Sequence, residues 1–166
     1  MAEDADAVGF TVYPGTNHEV EMFEEFRRVQ EQAREYDLPV VMWSYPRGQG
    51  VKNDTGKEVI AYAARLGLEL GADLTKVKYP GSGAAMERVC EMAGPTKVIM
   101  SGGSKASGRE VLETVKSVMD AGGAGLAVGR NVWQRENPMA LLDALERVIY
   151  DGASVDDALR ATPANA

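Results

Sequence analysis

The 166-residue chain holds one cysteine, Cys90, and one histidine, His18. A lone cysteine forms no internal disulfide, which points to an intracellular, cytoplasmic protein. One histidine and one cysteine fall short of the three or four ligands of a zinc site, so no zinc and no organic cofactor is expected. Carboxylate-only Mg²⁺ binding stays open. No apolar run reaches the ~18–20 residues of a membrane span, and the start does not read as a signal peptide. Basic residues are outnumbered, 18 against 25 acidic, for a net charge of −7. That balance argues against nucleic acid and acidic lipid as partners. With 45% hydrophobic and 26% charged residues, the composition is that of one globular domain over residues 1–166.

Short apolar runs recur at Ala7–Val12, Pro39–Tyr45, Ala72–Tyr79, Lys97–Ser101 and Gly125–Val128. Each is followed by a Gly- or Pro-bearing turn and then a stretch of helical period. Glu19–Tyr36 sets Val20, Phe23, Phe26, Val29, Ala33 and Tyr36 on one stripe. Further helices are expected after caps at Asp54 or Thr55, Ser82, Ser107 and Ser154, and one more from Pro138 in its first turn. Alternating strands and helices, with strands rich in Val and apolar on both faces, imply a parallel sheet with helical crossovers. Five βα units are countable, whereas a (β/α)₈ barrel has eight and typically ~250 residues. Two architectures remain: a doubly wound open sheet, or the C-terminal five units of an incomplete TIM barrel.

Three strand ends share a theme, Tyr13-Pro14-Gly15, Tyr45-Pro46-Arg47-Gly48 and Tyr79-Pro80-Gly81. Pro and Gly stop a strand, and the carboxyl ends of parallel strands are where ligands bind. Alternation places Trp43 and Tyr45 on one face, and Lys76 and Lys78 on another. Two of only seven lysines thus sit in an apolar strand. A buried lysine must lose its proton, find a partner or do chemistry, and a neighbouring cation with desolvation is how Schiff-base lysines are activated. Spacing does not choose between Lys76 and Lys78, and a strand-end lysine can also snorkel to solvent. Ser101-Gly102-Gly103-Ser104-Lys105 and Gly129-Arg130-Asn131 end the last two strands. Gly-rich ends that feed helices offer backbone N–H groups to an anion, and Arg130 adds a charge-assisted contact. The competing reading is flexible turns with a solvated arginine. His18 is expected to cap or be solvated, Cys90 to be a small core residue, and Trp133 to pack.

These motifs together resemble the archaeal-type class I fructose-bisphosphate aldolases. The resemblance runs through Gly9-Phe10-Thr11-Val12-Tyr13-Pro14-Gly15, Trp43-Ser44-Tyr45-Pro46-Arg47-Gly48, Lys76-Val77-Lys78-Tyr79-Pro80-Gly81, Ser101-Gly102-Gly103 and Gly129-Arg130-Asn131-Val132-Trp133-Gln134. It covers nearly the whole chain, in order. The family is a complete barrel whose fourth to eighth strands carry these motifs, so the resemblance implies a barrel lacking its first three βα units. It further implies Lys76 as the Schiff-base former, Tyr45 as general acid/base and Trp43 as a wall of the substrate pocket. Ser101, Gly102, Gly103, Gly129 and Arg130 would hold a substrate phosphate, and Lys78 would be a neighbouring cation acting on Lys76 or on a phosphate. The implied substrate is a phosphorylated sugar and the implied assembly a homo-oligomer. In the family, an acidic residue near the first strand end also touches the substrate, and these motifs do not include it. Relatives with the same lysine and tyrosine include an aldol-transfer enzyme of aromatic amino acid biosynthesis and an autoinducer-processing thiolase. A phosphate-binding barrel isomerase and a non-catalytic barrel fragment are the alternatives from other classes.

Overall fold

The computed structural model describes residues 5–162. Strands β1 (Val8–Val12), β2 (Val40–Ser44), β3 (Leu74–Val77), β4 (Lys97–Ser101) and β5 (Gly125–Ala127) alternate with helices α1 (Glu19–Arg34), α2 (Lys57–Glu69), α3 (Gly83–Ala93) and α4 (Gly108–Asp120). After β5 come α5 (Arg130–Trp133), α6 (Pro138–Tyr150) and α7 (Val155–Ala161). All pairings are parallel and the sheet order is β1-β2-β3-β4-β5. That order decides between the two architectures. A doubly wound sheet reverses its order at a switch point, whereas strands always added on one side put every right-handed crossover on one face. The sheet is a section of a (β/α)₈-type wall.

The helix-facing row is sealed: Val40, Met42, Ser44, Thr75, Val77, Val98 and Met100 are buried. Around it lie two apolar clusters, one holding Phe26, Val12 and Met42, the other Ile60, Met86, Leu112, Leu141 and Val148. The expectation of strands buried on both faces fails, because Trp43 is 36% exposed and Lys76, Ile99 and Ser101 are only half-buried. Among the described residues the sheet is open, and each of β1 and β5 has a single neighbour. The side that a closed barrel would turn inward therefore meets solvent.

Helix ends follow local chemistry. Ser82, Asn137 and Ser154 side chains accept from N–H groups of the first turns of α3, α6 and α7, and Ser107 with Glu110 forms a capping box on α4. Helix α2 departs from expectation: Gly56 holds its cap position, while Asn53 Oδ1 takes the Thr55 N–H and hydroxyl. Asp54 is committed elsewhere, to Lys78. The stripe of α1 is also narrower than expected, since the helix ends at Arg34 and leaves Tyr36 beyond it, while Val20 in the first turn is exposed. Gln30 is buried in that stripe instead, its amide donating to Gly71 O at 2.6 Å. His18 stands at the cap position of α1 with no side-chain cap bond. Cys90 is half-buried against the second cluster, and that burial pushes its thiol pKa up.

Candidate active site

Register sets one row of residues across the whole sheet: Thr11 beside Trp43, Trp43 beside Lys76, Lys76 beside Ile99, and Ile99 beside Gly125. Partners in a parallel ladder share a face, so this row lies on the open side. Lys76 Nζ stands 5.5 Å from the centroid of the Trp43 ring, within cation–π range. The indole in turn lies back over β1. A Cβ on Gly9 would come within 2.5 Å of the Trp43 Cζ2, so the missing side chain of Gly9 makes room for the ring.

Tyr45 follows Trp43 by two residues and falls on the same face. Its N–H donates to Val12 O at 3.0 Å, which carries the β1–β2 pairing one step past β2. Beyond it the chain turns sharply. Gly48 and Gly15 both have positive φ, and a Cβ on Gly48 would meet the Gly15 carbonyl oxygen at 2.3 Å. The two turns interlock as a result. The Gly15 N–H is taken by Glu19 Oε2 at 2.7 Å, and the Arg47 guanidinium lies 5.0 Å from the Tyr13 ring centroid. The first Tyr-Pro-Gly turn is thus committed internally.

Lys78 lies past the end of β3 and bonds the Asp54 carboxylate on the loop ahead of α2. The hydrogen bond and charge of Lys78, with Arg47 adding to them, hold the Asp54 pKa below its usual value. Lys78 is thus a charge-compensated group, not a bare cation beside Lys76.

A cavity of about 700 Å³ opens at the carboxyl ends of β3, β4 and β5, lined in part by Lys78, Ser101, Gly102, Gly103 and Arg130. A smaller one of about 310 Å³ shares Gly102, Gly103 and Arg130 and adds Gly129 and Trp133. The anion-binding candidates from both strand ends therefore meet. Lys76, Tyr45 and Trp43 do not line either cavity; they belong to the open face beside it. Trp133 is 68% exposed, yet its ring lies so close over Gly129 that a Cβ there would come within 2.3 Å. Among the described residues, no group of three or more His, Cys, Asp or Glu side chains comes together. The site offers an amine, a phenol, an indole and backbone N–H groups.

Three contributors went unassigned at the sequence level: Gly9 under Trp43, Asp54 on Lys78, and Asn131, which is 5% exposed and bonded to the Gly-rich loop. Asn131 had a readable signal, an amide following Gly-Arg at a strand end. Gly9 and Asp54 act across strands, where local sequence carries no signal.

The family model for DeoC/LacD family aldolases matches residues 1–135. The chain belongs to the DeoC/LacD aldolase family. This DeoC/LacD-family chain is 69% identical over 155 residues to the fructose-bisphosphate aldolase class 1 of Halobacterium salinarum, a match that covers 93% of the chain and 59% of the relative. Its fold superposes with a TM-score of 0.86 on the crystal structure of an archaeal fructose 1,6-bisphosphate aldolase, at 47% identity, over 90% of this chain and 60% of that one. A Schiff-base-forming fructose-1,6-bisphosphate aldolase, known with reaction intermediates, gives a TM-score of 0.85 at 46% identity, over 89% of this chain and 59% of that one. The DeoC/LacD-family chain thus spans about three-fifths of the length of these relatives.

Proposed function

We propose that residues 1–166 form one partial barrel domain that carries the lysine site of a class I fructose-bisphosphate aldolase, acting without a metal on phosphorylated sugars. The observation that carries this reading is Lys76, an amine in the transverse row on the open face, register-paired with Trp43 and one pleat below Tyr45. The relatives named above support the substrate class.

The amine adds to the C2 ketone of fructose 1,6-bisphosphate to give a carbinolamine, and loss of water leaves an iminium. With a base taking the C4 hydroxyl proton, the C3–C4 bond breaks. Its electron pair moves into the iminium, glyceraldehyde 3-phosphate departs, and an enamine remains. A proton delivered to C3 and hydrolysis of the iminium then release dihydroxyacetone phosphate and the free amine. Tyr45 is the acid/base for these transfers, held by the strand backbone that it extends. Trp43 walls the reacting carbons. Phosphate held by Ser101, Gly102, Gly103, Gly129 and Arg130 supplies binding energy remote from the breaking bond, and Lys78 stands at the rim of that site. The same reading places the protein in the cytoplasm as a homo-oligomer, apart from nucleic acid and membranes; among the described residues no helix is long and apolar enough to cross a membrane.

The enamine half-reaction tests this. In D₂O, the chain should exchange one C3 hydrogen of dihydroxyacetone phosphate for deuterium, visible as a halving of the C3 methylene proton NMR signal. Exchange that survives in Lys76→Ala contradicts the assignment. Absence of exchange in a folded sample would make this chain a non-catalytic barrel fragment.

A further inference from the structure

The loop between β4 and α4 is held from the far side of the site. Asn131, buried at the start of α5, accepts from Ala106 N–H through its side-chain oxygen and donates to Ser104 O through its side-chain nitrogen, both at 2.9 Å. One residue thus fastens a donor and an acceptor two positions apart. Arg135 adds a second tie: Nη2 donates to Ala106 O at 2.7 Å and Nε to Asn131 O at 2.6 Å. Both backbone groups of Ala106 are therefore gripped, one from α5 and one from the turn that follows it. At its other end the loop is tied by Gly102 N–H to Ala127 O at 2.8 Å, and the Ser107 N–H goes to Glu110.

What these ties leave over is informative. Among the described residues, the Gly103, Ser104 and Lys105 N–H groups make no hydrogen bond to protein, and of these residues Gly103 and Ser104 line the cavity. A loop of Gly, Ser and Lys has little reason of its own to hold one shape, since glycine loses more conformational entropy on ordering than any other residue. Donors aimed at an anion are effective when they are fixed beforehand. Arg130, immediately before Asn131, puts its charge on the same cavity.

We propose that Asn131 and Arg135 are positioning residues that preorganise the Gly103–Ser104 amides for a phosphate, joining the two halves of the anion site without touching the ligand. The inference rests on the anion role given above to this loop and deepens it. An aspartate at 131 would keep the bond from Ala106 N–H but face Ser104 O with no donor. A lysine at 135 would keep the charge but cannot hold Ala106 O and Asn131 O in a planar fork.

The test uses inorganic phosphate titrated onto the whole chain, read by amide chemical shifts of the loop, with hydrogen exchange at Ala106 measured in parallel. Asn131→Ala should raise the phosphate Kd about tenfold, the loss of roughly one charge-assisted bond, and unprotect the Ala106 amide. Borohydride trapping of unphosphorylated dihydroxyacetone on the wild-type chain is read in parallel as the check on the lysine site. A phosphate Kd unchanged while the Ala106 amide exchanges freely overturns the proposal, as does a wild-type chain that binds no phosphate. If Asn131→Ala does not fold, Arg135→Lys decides: weaker phosphate binding in a folded variant supports positioning, and unchanged binding overturns it. Failure of the wild-type chain to trap dihydroxyacetone strikes at the Schiff-base reading alone, and the phosphate titration still decides the positioning role.

Discussion

The Lys76 Nζ stands 5.5 Å from the centre of the Trp43 ring, its register partner on the adjacent strand. The contact depends on a third residue. The indole reaches this position only because Gly9, on β1, has no side chain to meet it. Three neighbouring strands thus place one amine.

Gly9→Ala tests that chain of contacts. The added methyl group would lie 2.5 Å from Trp43 Cζ2, closer than carbon atoms approach, so the ring must turn away. The expected outcome is a shifted Trp43 emission in a Trp133→Phe background, together with imine formation at Lys76 slowed several-fold. Because β1 is an edge strand, the stability loss should stay at about 1–3 kcal/mol. An unchanged spectrum and unchanged trapping would mean that Gly9 does not set the position of the amine.

The pairing of Asp54 with Lys78 has a pH signature. The Asp54 carboxyl has its pKa lowered from 3.8 by the hydrogen bond and charge of Lys78. A depressed folded-state pKa means that the bond is fully present above the unfolded value and lost as pH falls through the folded one. A side-chain carboxyl NMR titration should therefore place Asp54 below 3.8, and in Lys78→Ala it should move back up. A wild-type Asp54 at or above 3.8 would contradict the pairing.

Ser107 closes the β4–α4 loop and opens α4. Its hydroxyl accepts from Glu110 N–H at 3.2 Å while Glu110 accepts the Ser107 N–H at 2.7 Å. Ser107→Ala should cost ~1 kcal/mol in urea denaturation with an unchanged m-value. A loss near zero would mean that the box frays in solution.

Much of this was legible in the residues themselves. Strand positions followed from apolar runs bounded by Pro and Gly, and β4 begins and ends where its run does. Ser82, Ser107 and Ser154 cap as their spacing indicates because capping is local chemistry. The motifs at 101–103 and 129–130 came together at two adjoining cavities that share Gly102, Gly103 and Arg130, as adjacent strand ends must. The failures have a common cause. Asp54 or Thr55 was expected at a helix cap because a short-range pattern favours them there, but Gly56 holds that position and a lysine 24 residues away in sequence takes the Asp54 carboxylate. Exposure of Trp43 was not foreseen, since an apolar run does not reveal whether both faces of a sheet are covered, whereas the half-exposure of Lys76 fits the alternative of a lysine that reaches solvent. The choice of Lys76 over Lys78 came from the resemblance alone. The structure adds the physical difference between them, an amine over an indole for one and a carboxylate for the other.

Whether Lys76 is the Schiff-base lysine is decided most directly by borohydride reduction of the chain with dihydroxyacetone phosphate, read by intact mass and peptide mapping, alongside Lys76→Ala. A single adduct on Lys76, lost in the variant, is the expected result. An adduct on Lys78, or one that persists in Lys76→Ala, would contradict the assignment.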